Sequence, residues 1–439
     1  MTAKITLEPI AAPIGKTAAT VLLLALVAPW VLAQRPQQGR WVSAWSTATH
    51  TPLPFPGFPS APVFENQTIR MVVRPTIGGQ RVRVRWSNDY GAAPLQIGAA
   101  HIALTDRGST IVAGSDHVIT FGGKTSVSIP IGAPVLSDPV DMNVLPFGEL
   151  SLSIYLPRST RAITAHYWAQ HSSYVSGPGD CTGKQEIPDP SIKTSWYFVS
   201  DLEVWTTGRA GAVVTLGDSI TEGFGARQGD YDDWPDQLAK RLAAHGAAQS
   251  IAVLNEGIGG NRILHDGAGI SALARLDRDV LAQPGVISLI LEEGLNDIGL
   301  PHLKPEAAKD DASPHPGPFA AESVTADDLI AGMRQIIDRA HEHHIRVFGA
   351  TLTPYEGSVY FSEDGETVRQ AVNLWIRTSG AFDGVFDFDA AVRDRNHPAQ
   401  FREGYLSGDH LHPNAIGYKA IADAIDLTVL QSSRSQQGF

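Results

Sequence analysis

The hydrophobic rhythm of this 439-residue chain changes near Gly208. That change limits its possible folds more than any other feature. Before it, from about Trp41 to Trp205, apolar residues recur at every second position. Arg81-Val82-Arg83-Val84-Arg85-Trp86 alternates strictly, so one face of that strand is charged and the other apolar. Another run, 68–74, precedes it, and Gly78-Gly79 between the two reads as a hairpin turn. Residues 117–121, 126–130 and 150–156 repeat the pattern, punctuated by Gly and Pro. No amphipathic helix stands out among them. Short strands at this spacing predict an antiparallel β-sandwich, jelly-roll-like, over 41–205.

After Gly208, apolar strand-like runs at 212–216, 251–254, 286–291 and 347–352 alternate with helical spacing. The helical stretches are 234–244, 270–281, 329–340, 368–376 and 415–425. Such alternation predicts a parallel sheet covered on both faces, here over 211–430. Ligands of such folds bind beyond the carboxyl ends of the strands. Residues 301–325 are rich in Pro, His and Asp and have no period. An insertion of that kind is a functional loop or a disordered one. The linker between the two halves is short, which predicts that they pack together.

The N-terminus carries an address. Lys4 and Lys16 precede the apolar run 18–28, and small residues lead to Ala33. This is the layout of a secretory signal peptide over 1–33, cleaved after Ala33. The run is shorter than a membrane span requires and is followed by Pro29. Export to the periplasm or medium follows, with no stable membrane insertion after cleavage. The net charge of -12, without a basic run, excludes nucleic acid as a natural partner. One cysteine, Cys181, allows no internal disulfide and sits in a Gly- and Pro-rich loop sequence.

Four short motifs carry chemistry. Gly217-Asp218-Ser219 follows the 212–216 strand, where a serine entering a turn is accessible as a nucleophile if a base stands beside it. It lacks the G-x-S-x-G frame, and taken alone it is ordinary turn chemistry. Asn255-Glu256-Gly257-Ile258-Gly259-Gly260-Asn261 follows the next strand, and adjacent glycines let backbone N–H groups approach an oxyanion. Gly294-Leu295-Asn296-Asp297 follows the third, with an Asn amide as a further donor or a plain turn pair. Asp409-His410-Leu411-His412 precedes the last helix; a carboxylate three residues before an imidazole can orient it as a base. The alternative there is a metal site on Asp409, His410 and His412, for which no further ligand follows at zinc spacing.

Together, in this order, the motifs resemble those of the GDSL/SGNH hydrolases, a superfamily of esterases, lipases and deacetylases. The likeness covers about Val213 to Ile425. The four signature residues fall on Ser219, Gly260, Asn296 and His412, and the Asp before the His on Asp409. Gly259 adjoins Gly260, and Ile220 stands where the family name implies Leu. The resemblance implies a flavodoxin-like three-layer α/β/α domain without metal or organic cofactor. It implies a triad of Ser219, His412 and Asp409, with the oxyanion held by the N–H groups of Ser219 and Gly260 and the Asn296 amide. The β-rich half resembles the jelly-roll domains that precede some exported SGNH enzymes, including carbohydrate esterases.

The expected activity is therefore hydrolysis of short acyl or acetyl esters, of small molecules or carbohydrates. A lipase or lysophospholipase, with 301–325 as a lid, is the second enzyme reading. A non-catalytic glycan-binding protein is the third. Within the β-rich half two uses compete: binding a glycan through exposed aromatics such as Trp86, Tyr90, Tyr167 or Trp168, or, the expected one, packing against the catalytic domain and walling one side of its cleft. The oligomeric state is not encoded legibly. His341-Glu342-His343-His344 reads as a solvated helix end rather than a metal cluster. Trp234-Pro235 reads as a helix start with the Trp in the core. Arg262 and Asp297 adjoin the oxyanion residues as supporting or structural groups, and nothing specific marks His302 or His315.

Overall fold

The computed structural model describes residues 39–52, 60–246, 250–303 and 319–431. Residues Gly39 onward form one compact unit. Residues 1–33, expected to be a signal peptide, His315 and most of the 301–325 insertion lie outside the described residues.

The first half is β-rich, as its period-two pattern predicts. One antiparallel sheet runs Arg40–Ser46, Val199–Thr206, Gly79–Ser87 and Pro134–Leu136, with Val140–Val144 also paired to Gly79–Ser87. The other is centred on Gln67–Val73, Leu150–Leu156 and Ala99–Arg107, with Ser173–Pro178 outside Gln67–Val73. The alternation of 81–86 is real: Val82, Val84 and Trp86 are buried in the core while the arginines project from the other face.

Two expectations need correction. Gly78-Gly79 is not a hairpin turn, because Gln67–Val73 and Gly79–Ser87 lie in different sheets. The connecting segment bonds elsewhere: Thr76 N–H donates to Ala44 C=O at 2.9 Å, and Phe147 N–H to Pro75 C=O at 2.8 Å. The chain crosses between sheets because those partners satisfy its backbone. The aromatic platform loses two of its four residues, while Tyr90 and Trp168 are half-buried. Trp86 and Tyr167 are buried in the core, and Tyr90 accepts a hydrogen bond from Arg278 at 2.7 Å.

The second half builds a five-stranded parallel sheet. Its order is Ser250–Gly257, Ala210–Gly217, Val286–Glu292, Arg346–Ala350, Gly384–Phe386. In chain order this is 2-1-3-4-5, the flavodoxin-like winding. Among the described residues the α-helices are α1 (Ser219–Glu222), α2 (Trp234–Ala244), α3 (Ala272–Leu276), α4 (Leu295–Gly299), α5 (Ala326–Glu342), α6 (Glu363–Thr378), α7 (Phe388–Val392), α8 (Ala415–Asp423) and α9 (Leu427–Gln431). The predicted 270–281 helix ends early as α3 and continues as a π-turn, Asp277–Leu281.

Local chemistry sets the helix starts. Asp233 caps α2 ahead of Pro235, and Thr325 and Asp328 form a reciprocal capping box on α5. Trp234 is fully buried and packs edge-on against Phe388. At the far end of α5, His341 bonds Asp383 at 2.8 Å, while Glu342, His343 and His344 are exposed.

The two halves join through polar contacts. The charged face of Gly79–Ser87 is covered: Arg83 and Arg85 meet the fully buried carboxyls of Glu203 and Asp201, and Arg85 also reaches Gln283. Ser43 N–H donates to Pro284 C=O at 2.9 Å. Val253 N–H, on the outer strand of the parallel sheet, donates to Thr76 Oγ1 at 3.0 Å. The first strand thus lies along an edge that would otherwise expose unpaired backbone groups. Among the described residues no helix is long and apolar enough to cross a membrane.

Candidate active site

All four motifs meet at the carboxyl ends of the parallel strands. Ser219 is the first residue of α1, two residues past Ala210–Gly217. Asp218 caps that helix, its Oδ1 accepting from Ile220 N–H at 2.9 Å. Close approach requires glycine at Gly217, where a Cβ would lie 2.2 Å from Thr221 Oγ1 and 2.3 Å from Glu292 O.

Ser219 Oγ lies 2.7 Å from His412 Nε2, and His412 Nδ1 lies 2.5 Å from Asp409 Oδ2. Ser219 and His412 are nearly buried, whereas the Asp409 side chain is 41% exposed. With Asp409 ionised, Nδ1 carries the proton, and Nε2 presents a lone pair to the serine hydroxyl. Burial pushes the Asp409 carboxyl up, but hydrogen bonds from His412 and from the Leu411 backbone more than reverse this and hold it well below the usual carboxylate range. The loop is pinned to α8 by Asn414, which accepts from Ile416 and Gly417 N–H and donates to Gly404 and Leu406 C=O. The Phe224 ring leans on the imidazole at 4.5 Å. Both His412 nitrogens are thus engaged, against a metal there.

Asn296, at the start of α4, is held from both sides. Its Nδ2 donates to Asp218 Oδ2 at 3.1 Å, and its Oδ1 accepts from Tyr360 O–H at 3.2 Å. A carboxylate accepts and a phenol donates, so the two partners fix which way round the amide sits. One Nδ2 hydrogen remains for another acceptor. Burial raises the Asp218 carboxyl to about 6, against the Ile220 N–H and His412, which lower it. Burial likewise keeps the Tyr360 phenol protonated, its pKa well above the usual value.

The glycine turn follows Ser250–Gly257. Gly260 adopts φ 79°, a left-handed conformation that favours glycine. The Gly259 backbone faces the Glu222 carboxyl. Asp297 secures the next residues, accepting from Ile263 N–H at 2.7 Å and Leu264 N–H at 3.1 Å. Its pKa rises with burial to about 7, although those N–H groups oppose the shift. Arg262 pairs with Glu322 at 2.5 Å.

Sequence reasoning missed Arg275. It is fully buried and donates to Gly217 C=O at 3.0 Å, to Glu256 C=O at 2.6 Å and to Asn261 Oδ1 at 2.9 Å. It therefore ties the serine turn to the glycine turn. Tyr360, and the contact of Glu222 with His166 described below, were missed too. Cys181 is buried, and its N–H donates to Thr68 Oγ1 at 2.8 Å.

The fold and the family match of this half define a hydrolase acting on ester bonds. Residues 215–420 match the GDSL-like Lipase/Acylhydrolase family, which places this domain among the GDSL/SGNH hydrolases. Similar solved structures include Est24, a carbohydrate acetylesterase from Sinorhizobium meliloti, at 14% identity over 50% of this chain and 98% of that one, TM-score 0.38. An acetylxylan esterase from Geobacillus stearothermophilus is 22% identical over 49% of this chain and 93% of that one, TM-score 0.36. A GDSL-like lipase from Bacteroides thetaiotaomicron is 17% identical over 50% and 88%, TM-score 0.33. No curated protein matches the chain.

Proposed function

We propose that the protein is an exported serine esterase acting on short acyl esters, acetyl esters of small molecules or carbohydrates foremost. The observation that carries this is the continuous chain from Ser219 Oγ to His412 Nε2 and from His412 Nδ1 to Asp409. Ser219 attacks the ester carbonyl while His412 takes its proton. Asp409 keeps Nδ1 protonated and stabilises the imidazolium. The remaining Asn296 N–H and the backbone N–H groups of Ser219 and Gly260 meet the oxyanion; each such donor is worth ~100-fold or more in turnover. Collapse of the intermediate breaks the C–O bond, and His412 returns the proton to the leaving alcohol. Water, deprotonated by His412, then attacks the acyl-enzyme, releases the acid and restores Ser219.

The Phe224 ring against His412 adds apolar bulk beside the nucleophile, which supports a small acyl group. In this proposal the domain is a three-layer α/β/α sandwich over 211–430. The jelly-roll-like half over 41–205 walls the cleft and does not work as a separate glycan binder, in keeping with the polar seam between the halves. Residues 1–33 direct export, and N-terminal sequencing of secreted protein starting at Gln34 would support this; a start at Met1 in secreted protein would overturn it.

A chromogenic acyl series from acetate to palmitate tests the activity. Turnover falling with chain length, and lost in folded Ser219→Ala, is the expected result. A preference for long chains would instead make the protein a lipase. No turnover on any ester would sink the hydrolytic reading.

A further inference from the structure

On the esterase reading proposed above, we infer that His166, from the β-rich half, is a positioning residue for Ser219, acting through Glu222 of α1. Four residues cannot hold a helix axis by themselves, so α1 takes its orientation from what it touches. Three ties lie within the α/β half. Thr221 Oγ1 donates to Glu292 Oε2 at 2.9 Å, and Asn255 Nδ2 donates to Thr221 C=O at 2.9 Å. Gly257 lets the Glu222 backbone seat closely, since a Cβ there would lie 2.2 Å from the Glu222 nitrogen.

The fourth tie leaves that half. Glu222 Oε1 faces His166 Nε2 at 3.3 Å, both side chains being buried. His166 Nδ1 donates to Ala48 C=O at 2.9 Å, so its Nε2 carries a lone pair. On this inference the carboxyl keeps its proton and presents it to that lone pair, so the 3.3 Å contact is neutral rather than an ion pair. Burial acts in that direction on both partners: it pushes His166 down to about 4 and Glu222 well above the usual carboxyl value.

The carboxyl also touches the glycine turn. A Cβ on Gly259 would stand 2.8 Å from Glu222 Oε2 and 3.8 Å from the Ser219 Cβ. Glu222 thus sits between the serine helix, the turn bearing Gly260 and the β-rich half. The His166 ring is itself braced, edge-on to His50 at 5.5 Å and tilted on Trp196 at 5.8 Å.

His50, His166 and Glu222 place possible metal-binding atoms within 4.8 Å of one another. One His50 nitrogen donates to Thr51 C=O and the other accepts from Tyr167 N–H. That leaves two donors, fewer than the three protein ligands of a catalytic zinc site. The geometry favours a clamp. Its consequence is catalytic because a ~1 Å shift of a reacting group can cost ~100-fold in rate.

The test uses the full chain and a chromogenic acetyl ester. His166→Phe, Glu222→Leu, their double variant and Glu222→Gln are compared with wild type in kcat, KM and thermal melting. Each apolar single variant should lose about tenfold or more in kcat, within the ~100-fold ceiling for misplacement, with KM little changed. The double variant should lose no more than the worse single one. Glu222→Gln, whose amide N–H replaces the carboxyl O–H, should recover most of the turnover. Folded His166→Phe with wild-type kcat would overturn the inference, as would losses that multiply in the double variant. If His166→Phe does not fold, Glu222→Leu decides: wild-type kcat there overturns it equally. Wild-type protein inactive on every ester would instead mean that the esterase reading has failed.

Discussion

Replacing Asp409 by Asn changes one charge and one hydrogen-bonding sense while leaving the loop its main ties. Asp409 Oδ1 accepts from Leu411 N–H at 3.0 Å and His412 N–H at 2.9 Å, and an Asn Oδ1 can keep both. The loss falls on Oδ2, 2.5 Å from His412 Nδ1. Charge centres ~4 Å apart attract by ~4 kcal/mol at an effective dielectric near 20, and by ~1 kcal/mol in bulk water. With 41% of the Asp409 side chain exposed, the pair lies between these limits. Imidazolium stabilisation of ~1–4 kcal/mol corresponds to about 5- to 1000-fold in kcat. The tautomer adds to this: an Asn N–H facing Nδ1 favours the form with Nε2 protonated, which cannot accept from Ser219. Asp409→Asn should therefore lose ~100-fold or more in kcat, though less than the ~10⁴-fold of a buried triad. Steady-state kinetics on an acetyl ester, with circular dichroism to confirm folding, measure it. Folded Asp409→Asn within twofold of wild type would refute the reasoning.

Two further outcomes follow from the surroundings. Tyr360→Phe removes one of the two groups fixing the Asn296 amide; a hydrogen bond worth ~0.5–1.5 kcal/mol implies a kcat loss of about 2- to 13-fold, and unchanged kcat would remove Tyr360 from the site. His171 is stacked between Trp196 and Tyr231, and burial lowers its pKa from 6.5 to about 4. The folded state refuses a proton that the unfolded chain takes, so this stability is present above 6.5 and is lost as pH falls towards 4, about 3 kcal/mol in all. Urea unfolding at pH 7 and pH 4 should show a smaller acid-linked loss in His171→Phe than in wild type; equal losses would mean that His171 is not the group responsible.

The candidate site was more legible than the residues packed around it. Ser219, Gly260, Asn296, Asp409 and His412 each lie beside a strand end or a helix start, so short local patterns reveal them. The residues that hold them are different. Arg275 reaches Gly217 across 58 positions, and Tyr360 reaches Asn296 across 64. A buried polar side chain with a distant partner leaves no period in the sequence. The 234–244 helix was legible from its spacing and its Pro. The fifth parallel strand, Gly384–Phe386, has only three residues, too few to show a rhythm. Gly78-Gly79 misled because a glycine pair after an alternating run looks the same whether the chain turns back or crosses to a second sheet. The β-rich half was expected to pack on the hydrolase half. The ion pairs under Arg83 and Arg85 show why its charged strand face needs no solvent.

The most direct test of the central claim is covalent. An activated serine hydroxyl attacks the phosphorus of a fluorophosphonate ester, expels fluoride and keeps a stable phosphonyl adduct. Peptide mass spectrometry after stoichiometric labelling should find that adduct on Ser219 in wild-type protein. Folded Ser219→Ala and His412→Ala should both remain unlabelled. Labelling at another serine, or undiminished labelling of folded Ser219→Ala, would contradict the account.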